Sequence, residues 1–284
     1  MVESEVNYTI RFKIKYFMNF KVISRNRQIL GEGLSIQRDD SHIFWVDIIG
    51  NALTRMDLFS GKQTNVTIFK FPSCTFCDDK NEVFVAHQGG ISLMDRDFKS
   101  SKKCVEWFDS ESGLRCNDGT MDEYGNIWMS TMSVSHEKNC ASIWFWNRRS
   151  HPKLVVDNLT IPNSIAVDTH RARLYFADSY TNVIYRANYS IRDGSLGSIR
   201  EFHKSQVGTP DGSTLDKYGN LWNTRWGGGC VLKISPGGIE QLQIMTPVQW
   251  PTSCVLSKDE KTLFFTSAAE SSESLEGHTF KLSL

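Results

Sequence analysis

Nowhere does the chain offer an apolar run approaching the roughly eighteen residues that a membrane helix needs. A helical membrane protein is therefore set aside. Net charge is absent too, because 32 lysines and arginines balance 32 aspartates and glutamates. Without a basic surplus there is no electrostatic footprint for nucleic acid or for an acidic membrane surface. The seven cysteines are an odd number with no framework spacing, which argues against a disulfide scaffold. One C-x-x-C, Cys74 to Cys77, stands alone. A zinc site would want a second pair, or histidines at ligand spacing, so half-buried strand thiols are the better reading. The first twenty residues, "MVESEVNYTIRFKIKYFMNF", lack the apolar core and small-residue cleavage site of a signal peptide. Sequons such as "NYT", "NVT" and "NLT" then carry no weight, and the expectation is a soluble, cytoplasmic protein.

Sustained helical periodicity is also missing, and strand-like sequence stands in its place. With 40% hydrophobic and 12% aromatic residues over 284 positions, the chain has the material for one large all-β core. Its clearest internal feature is repetition. "DEYGNIWMST" (122–131) and "DKYGNLWNTR" (216–225) share an acid, a Gly-Asn turn and an alternating apolar run. Weaker copies begin at Asp39, Asp78, Thr169 and Lys258. From Asp39 through Asp78, Asp122, Thr169, Asp216 and Lys258 the successive intervals are 39, 44, 47, 47 and 42 residues. Each copy reads as a β-hairpin, and such a unit has room for about four strands. The expectation is a single domain over 1–284, a six-bladed β-propeller with four-stranded blades. A β-sandwich with coincidental turns is the alternative, and the regular spacing argues against it.

The residues ahead of each turn also align: "EGLSI" from Glu32, "SCTFC" from Ser73, "NDGTM" from Asn117, "NSIAV" from Asn163, "DGSTL" from Asp211 and "TSCVL" from Thr252. If these runs are innermost strands, their first residues ring the mouth of a central channel. All six are oxygen donors, and two are carboxylates. Such a set suits a hard divalent cation, with Ca²⁺, Mg²⁺ and Mn²⁺ all compatible. Taken singly, most of these residues are equally well read as turn-formers. Glutamate has no special turn role, and Glu32 tips the ring toward a metal.

At these residues the chain resembles a known family. "GEGLSIQRDDSHIFWVDI", "RCNDGTMDEYGNIW", "IPNSIAV" and "PDGSTLDKYGNLWNTRWGGG" look like the signatures of the senescence marker protein, gluconolactonase and luciferin-regenerating enzyme family, in register from about residue 28 to 268. The resemblance implies a six-bladed propeller that hydrolyses sugar lactones with one divalent cation in the channel, calcium first, with zinc, magnesium or manganese as alternatives. It implies Glu32, Asn163 and Asp211 as metal ligands, Arg115 and Asn117 as substrate contacts, and Asp211 as general base. From the residues alone, Arg115 is better read as a salt-bridge partner. The implied partner is a small sugar lactone, with no nucleic acid or membrane and a monomer or small homo-oligomer. A non-catalytic calcium-binding propeller, a hydrolase of other esters and a protein-interaction propeller are the competing readings.

The chain departs from the family pattern in three places. Ser164 follows Asn163 where the family has glycine, which is tolerable if its φ is negative. Ser135, His136 and Glu137 occupy the stretch where vertebrate members place a substrate-contacting glutamate, so that preference does not carry over. Residues 1–27 lie outside the resemblance, and an added or closing strand is expected there.

Overall fold

A computed structural model describes residues 19–284 apart from 107, 110, 273 and 274. The alternating stretch at residues 9–17 lies outside the described residues. Twenty-four strands form six four-stranded antiparallel sheets, and among the described residues there is no helix. The inner strands are Gly31–Ile36, Cys74–Cys77, Leu114–Met121, Pro162–Asp168, Thr209–Leu215 and Pro251–Leu256. They pack side by side around a central channel, so blades are numbered one to six in that order. The second strands are His42–Asp47, Val83–His87, Ile127–Ser133, Arg173–Asp178, Leu221–Trp226 and Thr262–Ser267.

The six anchors fall in the same place, the hairpin between inner and second strand. Local chemistry explains their acids. Asp122 Oδ1 accepts from the main-chain N–H of Tyr124 and Asn126, and Asp216 Oδ1 does the same for Tyr218 and Asn220. Asp78 repeats the pattern with Lys80 and Glu82. Each carboxylate takes up turn donors that would otherwise lack partners.

Second strands are buried on both faces, because each blade is covered by a neighbour on either side. Between blades three and four, Trp128 packs edge-on to Phe145 at 4.8 Å and to Tyr189 at 5.1 Å. Such interblade clusters, rather than one central core, hold the blades in place. Cys74 is buried in this packing and Cys77 half-buried, and both thiols are free.

Blade six is completed by the other end of the chain. Lys21–Val22 is its outermost strand, paired with Lys281 and Phe280. The first and last described strands thus share one sheet, and the ring of blades closes through hydrogen bonds.

Candidate active site

Five of the six inner strands carry a β-bulge near the channel mouth. In blade three it lies between Cys116 and Gly119, and in blade five between Pro210 and Ser213. In blades one, four and six it separates Glu32 from Ser35, Asn163 from Ala166 and Pro251 from Cys254. A bulge swings its residues out of the ladder and re-aims their side chains. The ring positions are therefore not strictly equivalent. Glu32 and Asn163 keep the last regular rung before the bulge, whereas Asn117, Asp211 and Thr252 stand inside it.

Ser164 corrects one expectation. Its φ is +59°, the left-handed region, matching Gly33 in blade one, also at +59°. The bulges of blades one and four share this left-handed geometry, once in a glycine and once in a serine. Serine is held there by a 2.6 Å hydrogen bond between its Oγ and that of Ser213, across to blade five.

Two ring members are otherwise engaged. Thr252 Oγ1 bonds Gly31 O and Thr266 Oγ1, and Ser73 Oγ donates to Ala86 O. Their hydroxyls complete the backbone of neighbouring strands. The four that remain are linked. Arg115 Nη1 donates to Asn117 Oδ1 at 2.7 Å. Asn117 Nδ2 donates to Asn163 Oδ1 at 2.7 Å and to Pro162 O at 2.9 Å. Asn163 Nδ2 donates to Ser179 Oγ, whose hydroxyl passes on to Pro210 O beside Asp211. Across the channel the carboxyls of Glu32 and Asp211 interact electrostatically. Glu32 also accepts from the N–H of Gly33 at 3.0 Å.

Sequence reasoning missed Asp118, although it adjoins Asn117 in the quoted "NDG". Its Oδ2 accepts from Ile165 N at 2.8 Å and its Oδ1 from Gly119 N, joining blades three and four. It also lines a cavity of about 200 Å³ that runs down the channel past Ser35, Thr75, Ser213 and Ser253.

The electrostatics are lopsided. Burial, and then the charge of Asp118, push the Glu32 carboxyl from 4.5 to about 8. Burial, Glu32 and Asp118 hold Asp211 well above the usual carboxylate range. Burial raises Asp118 to about 6 against the pull of three main-chain N–H groups. Arg115 is the cation among them, lowered by burial to about 10 and held up by Glu32. Three carboxylates against one guanidinium leave two negative charges in excess. A divalent cation would balance them; otherwise carboxyls here are favoured in the protonated form. The donor set of two carboxylates and an amide oxygen fits a hard cation. Among the described residues no three Asp, Glu, His or Cys side chains converge as a metal cluster.

Arg115, read from residue type as a salt-bridge partner, is buried and bonds to Asn117 and to Cys116 O. Ser135, His136 and Glu137 stand exposed on the loop after Ser133, on the mouth side of blade three. Ser135 Oγ bonds Ser133 Oγ and reaches toward Glu137.

Known proteins share this architecture. The 6-deoxy-6-sulfogluconolactonase of Pseudomonas putida is 27% identical over 88% of this chain and 87% of its own. The L-arabinolactonase of Azospirillum brasilense is 28% identical over 87% and 83%. The crystal structure of a calcium-binding protein, regucalcin, from Agrobacterium tumefaciens superposes with a TM-score of 0.87 at 26% identity, covering 93% of each chain. Residues 30–269 match the model of the SMP-30/Gluconolactonase/LRE-like region, and the chain belongs to that family.

Proposed function

We propose that the protein hydrolyses a sugar lactone to its aldonic acid, with a divalent cation held by Glu32, Asn163 and Asp211. The observation that carries this reading is the pair of interacting carboxyls, Glu32 and Asp211, gathered with Asp118 and a single guanidinium in a site with two uncompensated negative charges. When bound, the cation would act as a Lewis acid, polarising the lactone carbonyl and favouring ionisation of water. Calcium is the first choice, supported by the calcium-binding relative.

The residues of the chain divide the remaining work. Asp211, once ionised, accepts a proton from the attacking water as its oxygen closes on the carbonyl carbon. As the acyl–oxygen bond of the ring breaks, the same carboxyl returns the proton to the departing ring oxygen, leaving a free hydroxy acid. Asn117 is committed to Arg115 and Asn163, so its role is to orient both. Arg115 brings a fixed positive charge to the side where the oxyanion develops. Names of the relatives point to different sugars, a sulfonated gluconolactone and an arabinolactone, so the family leaves the sugar open. The seven free cysteines suit a reducing, cytoplasmic setting.

The test is a panel of aldonolactones assayed with chelated protein, then with Ca²⁺, Mg²⁺, Mn²⁺ and Zn²⁺ added singly. Turnover that appears only with metal supports the reading. Full activity in metal-free protein removes the cation from it, and no turnover on any lactone removes the activity.

A further inference from the structure

We propose that Arg225 and Asn223 form a clamp that positions Asp211. Arg225 fixes the amide of Asn223, and Asn223 holds the main chain of Asp211 where the bulge has released it. The proposal rests on Asp211 serving as cation ligand and base.

The bulge between Pro210 and Ser213 takes Asp211 and Gly212 out of the ladder with the second strand. Their carbonyls are buried and need other donors. Asn223 Nδ2 donates to Asp211 O at 2.9 Å and to Ser213 Oγ at 3.0 Å, while Thr224 Oγ1 donates to Gly212 O at 2.9 Å. Arg225 Nη1 donates to Asn223 Oδ1 at 3.0 Å. Because a guanidinium only donates, it dictates which end of the amide faces it, and the NH₂ end is left aimed at Asp211. The other arms of Arg225 reach Val207 O, Gly208 O and Asn182 Oδ1, each at 2.8 Å. All four acceptors are neutral, and both residues are buried, Arg225 at 1% exposure and Asn223 at 0%.

Burying a guanidinium among neutral acceptors opposes folding. The fold does not demand it. In the other bulged blades the position of Asn223 is filled by Phe44, Met129, Tyr175 and Phe265. The position of Arg225 is filled by Val46, Thr131, Ala177 and Ser267. These blades make a two-for-one register shift at the same place with apolar or small residues. Of the bulged blades, the one that places this asparagine and arginine is the one that presents Asp211. A carboxylate that must meet a cation and a water in one geometry gains from a main chain that cannot drift.

The experiment measures Ca²⁺ affinity by isothermal titration calorimetry, and kcat and KM on the best lactone, for wild type, Arg225→Lys, Asn223→Ala and the double variant. Arg148→Lys, at the Asp78 ion pair in blades two and three, is the control for a general structural loss. The clamp predicts a fall of about 10- to 100-fold in Ca²⁺ affinity and in kcat for each single variant, with KM little changed. The double variant should be no worse than the worse single, since both break one chain of contacts. Should Arg225→Lys fail to fold, Asn223→Ala and Asn182→Ala carry the same readout. Wild-type affinity and kcat in the single variants, additive losses in the double, or a wild type that binds no Ca²⁺ would each overturn the proposal. Coupled losses of Ca²⁺ affinity in a protein that hydrolyses no lactone would uphold the clamp while removing the lactonase reading.

Discussion

The Nδ2 of Asn117 lies 2.7 Å from the Oδ1 of Asn163, and the two amides belong to different blades. The bond fixes Asn163 with its oxygen turned to the Asn117 side and its NH₂ to Ser179. Asn163 therefore depends on a neighbour for the orientation that the proposed ligand role requires. Asn117→Ala should weaken Ca²⁺ binding by about 10- to 100-fold without removing a ligand. Calorimetric affinity equal to wild type would show that Asn163 orients itself.

Without metal, stability should fall as pH rises. Glu32 has a folded value near 8 against its ordinary 4.5, so between these limits the native state holds a proton that the unfolded chain releases. Its contribution is fully present below pH 4.5 and is lost as pH climbs through 8. Asp211, also raised, acts in the same direction. A bound cation reverses the preference, because it favours the ionised carboxyls and expels their protons. Melting temperature in chelator should decline from pH 5 to 8, and added Ca²⁺ should raise it more at pH 8 than at pH 5. A flat profile in chelator, or a larger shift at pH 5, would contradict the assignment.

Much of this was legible in the sequence, for identifiable reasons. Each blade's first hairpin is a local event, and the anchors at Asp78, Asp122 and Asp216 announce it because a carboxylate must sit there to bind the turn's N–H groups. The order of blades follows from that repeat. The bulges were not legible, since a two-for-one register depends on pairing with a distant strand. They decide that Ser164 takes a positive φ and that Asn117 and Asn163 stand at different phases of the ring. Asp118 stands beside Asn117 in the sequence, but only its bonds to Ile165 and Gly119 across two blades give it a place in the site. Asn223 and Arg225 interrupt the apolar alternation of "LWNTRW", and their shared purpose emerges only with the carbonyl of Asp211 between strands.

Gly33 and Ser164 give a paired test of the bulge. A Cβ on Gly33 would lie 2.4 Å from both Cys74 Cα and Ser73 O, which are backbone atoms that cannot step aside. Gly33→Ala should therefore destabilise by more than about 3 kcal/mol and disturb Glu32 beside it. Ser164→Gly should be nearly neutral. It relieves a left-handed serine, worth about 1–3 kcal/mol, but loses the bond to Ser213. Chemical denaturation of the two variants measures both, and a Gly33→Ala protein as stable as wild type would refute the packing at this bulge.

Asp211→Asn separates three roles open to one carboxylate. The amide keeps an oxygen for the cation and fits between Pro210 and Gly212, but it accepts no proton from water and removes one negative charge. If Asp211 is the base, kcat should fall by about 10²- to 10⁴-fold, the usual contribution of general-base catalysis. Ca²⁺ affinity should weaken as well, yet saturating Ca²⁺ should not restore the rate. If Asp211 is a ligand alone, excess cation should bring activity back to the wild-type plateau. If it only shapes the bulge, asparagine should serve equally and both curves should coincide. The raised titration of Asp211 adds a second readout. With the raised Asp211 carboxyl gone, its own proton no longer contributes, so the metal-free variant should lose less stability than wild type between pH 5 and 8. Hydrolysis rate against Ca²⁺ concentration for both proteins decides the catalytic question. A variant that reaches the wild-type plateau would rule out the base and leave Asp211 as a ligand.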